Sequence, residues 1–127
     1  MFLTVFTLFV KDQDQALRFY VDRLGFTMTE DERLGDYRWL LVSASPGQDA
    51  DINLELARTP DQRALVGKQG AGKPVFALAT DECHRDFQAM KARGVMFDSE
   101  PRVMSYGTGV TLNDLYGNKI YLNEDPR

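Results

Sequence analysis

The side chain best placed to do chemistry in this sequence is Glu55. It interrupts the run Ile52-Asn53-Leu54-Glu55-Leu56, which is otherwise written in the letters of a buried strand. Side chains alternate along a strand, so Asn53, Glu55 and Ala57 share one face and Ile52, Leu54 and Leu56 the other. If the apolar face meets a helix, the carboxylate points at whatever the sheet encloses. A buried carboxylate has to be paired, metal-bound or protonated. The alternative is a carboxylate on a solvated sheet face. Trp39, Tyr37, Tyr106 and Tyr121 either line a pocket or fill a β-rich core.

Two other patterns carry less. Gly67-Lys68-Gln69-Gly70-Ala71-Gly72-Lys73 fits G-x-x-x-x-G-K. However, Pro74 stands where a phosphate loop needs Ser or Thr, and the segment leads into a strand instead of following one. It reads as an exposed, flexible connection. Cys83 and His84 are the sole cysteine and the sole histidine. Adjacent helical positions diverge by about 100°, and no second histidine completes a metal or nucleophile site. They read as a surface histidine beside a half-buried cysteine.

The elements that must position these residues follow from periodicity and caps. Residues 2–10 are apolar on both faces, as in a strand covered on each side. Asp12 offers a helix cap, Ala16, Leu17, Phe19, Tyr20 and Leu24 follow at helical spacing, and Gly25 ends the segment. Strands are expected at 26–29, 37–44 and 52–57, with a polar bend over 30–36. Residues 58–73 form a connection with one helical turn at 62–66. The order then recurs. A strand at 75–80 leads to a helix capped by Thr80 or Asp81 and closed by Gly94. Strands follow at 95–97, continuing at 103–106 beyond Pro101, then at 109–112 and 119–123, with a turn over 114–118. Asp12 and Gly25 stand thirteen positions apart, as do Asp81 and Gly94. An internal repeat of strand, helix and three strands is the result. Module one spans 1–58, the linker 59–73 and module two 74–127, within a single domain 1–127.

Composition narrows the function. Lys+Arg 15 against Asp+Glu 19 gives a net charge of -4, which repels a phosphate backbone and argues against nucleic acid. One cysteine permits no internal disulfide, so nothing demands an oxidising compartment. The apolar N-terminus is only about ten residues long, short of the ~20 a membrane helix needs, and has no basic start. The expected setting is the cytoplasm, with no membrane contact.

In this order and spacing, several pieces resemble the vicinal oxygen chelate superfamily, which includes glyoxalase I, bleomycin-resistance proteins and extradiol dioxygenases. They are Phe9-Val10-Lys11-Asp12, Ala16-Leu17-Arg18-Phe19-Tyr20 and Leu24-Gly25-Phe26 in module one. Module two has Leu78-Ala79-Thr80-Asp81, Gly94-Val95 and Asn113-Asp114-Leu115-Tyr116-Gly117-Asn118-Lys119-Ile120. The resemblance implies an α+β fold of two βαβββ modules, forming a curved mixed β-sheet cup with helices outside, and a homodimer. It places the family's four metal positions on Val5, Glu55, Val75 and Tyr121, of which only Glu55 is a ligand as the family uses it. No metal and no other cofactor are expected. What remains is a metal-independent small-molecule-binding protein, with antibiotic sequestration as one case. Val5, Thr7, Trp39, Glu55, Val75, Ala77 and Tyr121 would line its site, Tyr121 donating to Glu55. The competing reading is a glyoxalase-type lyase or isomerase with Glu55 as the catalytic general base.

Overall fold

A computed structural model describes residues 1–126 of the chain, so Arg127 of module two lies outside the described residues. The chain divides into two compact units, the first Met1–Gly67 and the second beginning at Lys68.

The first unit runs β1 (Val5–Val10), α1 (Gln13–Arg18, extended by one wide turn over Phe19–Arg23), β2 (Thr27–Leu34), β3 (Tyr37–Ser43), β4 (Asp51–Leu56) and α2 (Pro60–Leu65). Its sheet has the order β1-β4-β3-β2. The outer β1 is parallel to β4, and the remaining pairs are antiparallel. α1 starts where expected, because Asp12 accepts from the Gln15 amide at 2.9 Å. It ends at Gly25, whose φ of +83° only glycine adopts freely. Ala16, Tyr20 and Leu24 lie buried with Leu8, Val10, Leu40, Val42, Ile52 and Leu54. One sheet face therefore meets α1; the other, although Leu41 and Asn53 on it are buried, leaves Val5, Thr7, Phe9, Tyr37, Trp39 and Glu55 at least partly exposed and is the open face.

Three expectations change here. β1 begins at Val5, and Met1, Phe2 and Leu3 are exposed. It is covered on one face only, with Thr7 exposed and Val5 and Phe9 half-buried on the other. The anticipated bend over 30–36 is instead the second half of β2, paired with β3 to the end of the hairpin. Its letters are poor strand formers, but cross-strand contacts decide. Gly35, at φ +63°, takes the left-handed position of a two-residue turn. The helical turn also comes earlier, starting at Pro60. Thr59 Oγ1 accepts from the Gln62 amide and Gln62 accepts in return from the Thr59 amide.

The second unit runs β5 (Pro74–Ala79), α3 (Cys83–Ala92), β6 (Met96–Phe97), β7 (Arg102–Met104), β8 (Gly107–Asn113) and β9 (Lys119–Glu124). The order is β5-β9-β8-β6, with β5 parallel to β9 and β7 also on β8. β6 and β7 stand for the single β2 of the first unit, separated across Pro101, which cannot donate to a ladder. Neither Thr80 nor Asp81 is the N-cap residue of α3. Glu82 occupies that position without a side-chain cap bond, and the Cys83 amide donates to Glu124 Oε1 at 2.8 Å. Asp114 closes its turn as expected, Oδ1 accepting from the Tyr116 and Asn118 amides at 2.9 Å each. Residues 67–73 form ordered turns, with Ala71 donating to the Lys68 carbonyl and Lys73 to that of Gly70. No helix among the described residues is long and apolar enough to cross a membrane.

Candidate functional site

The open face of the first sheet can be read from its register. Val5, Thr7 and Phe9 pair with Asp51, Asn53 and Glu55. Asn53 pairs with Leu41, which brings in Trp39 and Tyr37 two and four residues earlier on the same strand face. Trp39 and Leu41 pair with Glu32 and Glu30. The strands of this face thus present Glu30, Glu32, Asp51 and Glu55, with no Lys or Arg among the paired positions. Thr29 on β2 donates to Asp51 Oδ1 on β4 at 3.1 Å, across the intervening β3, so the sheet curls toward this face.

Two aromatic side chains are fixed by carboxylates. The Tyr37 hydroxyl donates to Glu55 Oε1 at 2.7 Å, and the Trp39 indole N–H donates to Glu30 Oε2 at 3.1 Å. The Glu55 hydrogen bond, burial and the Glu55 charge together push the Tyr37 hydroxyl up to about 12, so it remains a donor at neutral pH. Asn53 is buried beside them, its Nδ2 on Thr7 Oγ1 at 3.5 Å and its Oδ1 with no partner among the described residues. The phenol expected to donate to Glu55 was that of Tyr121; the donor is Tyr37. Val5, Thr7, Trp39 and Glu55, all expected at the site, share this one face. Sequence reasoning missed the pairing of Tyr37 and the contribution of Glu30.

The remaining expected residues lie in the second unit. Tyr121 pairs with Ala77 on one side and Thr111 on the other. Val75 falls in the register shift between Pro74 and Phe76. The Tyr121 ring leans over Gly109, where an added Cβ would sit 1.9 Å from its oxygen. Burial first, then the neighbouring Tyr106, raise the Tyr121 hydroxyl above its ordinary value.

The metal positions implied by the resemblance do not fit an ion. Val5 and Val75 offer hydrocarbon, and Glu55 Oε1 is taken by Tyr37. Among the described residues, no three His, Cys, Asp or Glu side chains converge, whereas a catalytic zinc takes three protein ligands. Cys83 is fully buried and His84 exposed. Burial, with Glu124 and Asp86, pushes the thiol up and away from a reactive thiolate.

The sequence profile of the Glyoxalase/Bleomycin resistance protein/Dioxygenase superfamily matches residues 3–122. An uncharacterized protein of Shewanella frigidimarina is 36% identical over 113 residues, covering 87% of this chain and 84% of its own. YurT of Bacillus subtilis is 32% identical over 96% of this chain and 98% of its own. Among solved structures, UcmS2 superposes with TM-score 0.85 at 28% identity, covering 97% of each chain. TnmS3, an antibiotic binding protein from Streptomyces sp. CB03234, gives 0.83 at 28% identity, over 99% of this chain and 97% of that one.

Proposed function

The chain belongs to the Glyoxalase/Bleomycin resistance protein/Dioxygenase superfamily, and from that premise we propose that it binds an organic small molecule without a metal. The ligand is an aromatic cation, and it lies on the open face of the first sheet. The observation that carries this reading is the pairing of Tyr37 with Glu55 and Trp39 with Glu30 on a face whose strands offer four carboxylates and no cation. Each ring is held by its own polar hydrogen, which leaves its π surface for stacking. Each carboxylate keeps lone pairs for an ammonium or guanidinium. TnmS3 is an antibiotic binding protein of the same fold, and sequestration of a cationic aromatic antibiotic is the corresponding activity here.

A lyase or isomerase reading needs a free base and an electrophile to stabilise developing charge. Glu55 already accepts from Tyr37, the strands of the face present carboxylates, and Arg58, the cation whose charge acts on Tyr37, donates to the Asp36 carbonyl at 2.6 Å. Binding is therefore the better account.

A thermal-shift screen tests it. Amine-bearing aromatic antibiotics, each beside its uncharged N-acetyl counterpart, should raise the melting temperature only in the charged form. Equal shifts within every pair, or no shift from any cation, would remove the reading.

A further inference from the structure

We propose that the second unit holds a pocket of opposite preference, built for a small aromatic carboxylate and anchored by Arg102. The pairing of β7 with β8 sets Arg102 opposite Gly109 and Met104 opposite Gly107. Antiparallel partners share a face, so both side chains rise beside positions where β8 has none. The pairing of Thr111 with Tyr121 puts that tyrosine on the same face, and its phenol occupies the space a Gly109 side chain would need. The result is a cavity of about 290 Å³ whose lining includes Asp98, Arg102, Met104, Tyr106, Thr111 and Tyr121.

Its charge balance is positive. Asp98 is committed to Lys119 Nζ, at 3.0 and 3.1 Å, and to Asn113 Nδ2 at 2.8 Å. Arg102 is exposed and, among the described residues, has neither an ion pair nor a hydrogen bond to a side chain. Its planar fork matches a carboxylate in two parallel bonds. Tyr106 and Tyr121 both line the cavity and offer phenol oxygens and ring faces. The Met104 thioether suits an aromatic edge. The volume lies at the small end of ligand sites, which run from about 300 Å³, and suits one ring with one carboxylate. This pocket does not depend on the cation reading of the first unit, whose acidic face would repel the same ligand.

The test is a titration of the ¹⁵N-labelled full chain with 4-hydroxybenzoate and, in parallel, with the uncharged 4-hydroxybenzamide. The carboxylate should give saturable shifts at Gly109, Thr111 and Tyr121. Arg102→Gln, at an exposed position that keeps the fold, should weaken it about ten-fold, the scale of one charge-assisted hydrogen bond. Arg102→Lys should fall between, and the benzamide should bind wild type no better than the carboxylate binds Arg102→Gln. Equal affinity for acid and amide, unaltered binding by Arg102→Gln, shifts confined to other residues, or no saturable shift at millimolar ligand would each overturn the proposal.

Discussion

Replacing Arg38 with Met should lower the unfolding free energy by about 2 kcal/mol, or about 7 °C in melting temperature for a domain of this size. Arg38 is buried on the helix-facing side of the first sheet. Its guanidinium donates from Nε and Nη2 to the two oxygens of Asp31, at 2.9 Å each, and from Nη1 to Asp14 Oδ1 at 2.7 Å. It ties β3 to the second half of β2 and to α1. Buried Gln13 reinforces the junction, donating to the carbonyls of Arg38 and Leu54 at 3.1 and 2.9 Å. Met fills the volume of the arginine stem but leaves both carboxylates without their cation. Because the Asp31 and Asp14 side chains are 26% and 64% exposed, water compensates part of the loss, which keeps the effect below that of a fully buried pair.

The pH dependence has a definite sign. The hydrogen bond from Arg38 holds Asp31 and Asp14 below their ordinary 3.8. Groups depressed in the folded state stabilise it above their unfolded-state value, and the contribution disappears as pH falls through the folded values. Wild type should therefore lose stability below about pH 4, where unfolded aspartates begin to protonate. Arg38→Met should show a flatter acid limb. Chemical denaturation at several pH values reads both effects. An Arg38→Met curve parallel to wild type across the acid range would show that the cluster does not hold the sheet.

Glu55→Gln should weaken binding of an aromatic cation about ten-fold while changing stability by less than about 1 kcal/mol. The amide keeps the volume, and its oxygen still accepts from Tyr37. What it removes is the charge. Neutral ligands should bind as before, which separates charge recognition from packing. The same substitution should return the Tyr37 hydroxyl from about 12 toward its ordinary 10.0, since the Glu55 hydrogen bond and charge raise it. Spectrophotometric titration of the tyrosines reads that change independently of any ligand. Glu55→Gln binding every cation as wild type does would make Glu55 a residue of the solvated face.

Much of this was legible in the letters. The repeat of strand, helix and strands follows from two helical segments of similar span closed by Gly25 and Gly94, although only the first carries the side-chain cap its letters announce. The face of Glu55 follows from alternation alone. What alternation cannot supply is register. Tyr37 meets Glu55 because of how β3 lies against β4, and nothing in either segment specifies that offset. The second half of β2 was hidden by its charged letters, although Gly35-Asp36 between Leu34 and Tyr37 is the chemistry of a tight hairpin and was the available signal. The first amide of α3 is held by Glu124, 41 residues away, and a contact at that separation leaves no local trace. Arg102 stands in a three-residue strand beyond Pro101, too short for any period to show.

The central claim is that an aromatic cation stacks on the first sheet beside Trp39. As the only tryptophan in the chain, Trp39 reports on that face alone. Its emission should be followed while the cation that most raises the melting temperature is titrated in, with the N-acetyl counterpart as control. We predict a saturable change in Trp39 emission with the cation, with a midpoint matching the affinity found by calorimetry, and none with the neutral compound. A cation that binds by calorimetry yet leaves Trp39 emission unaltered would place the ligand elsewhere and contradict the account.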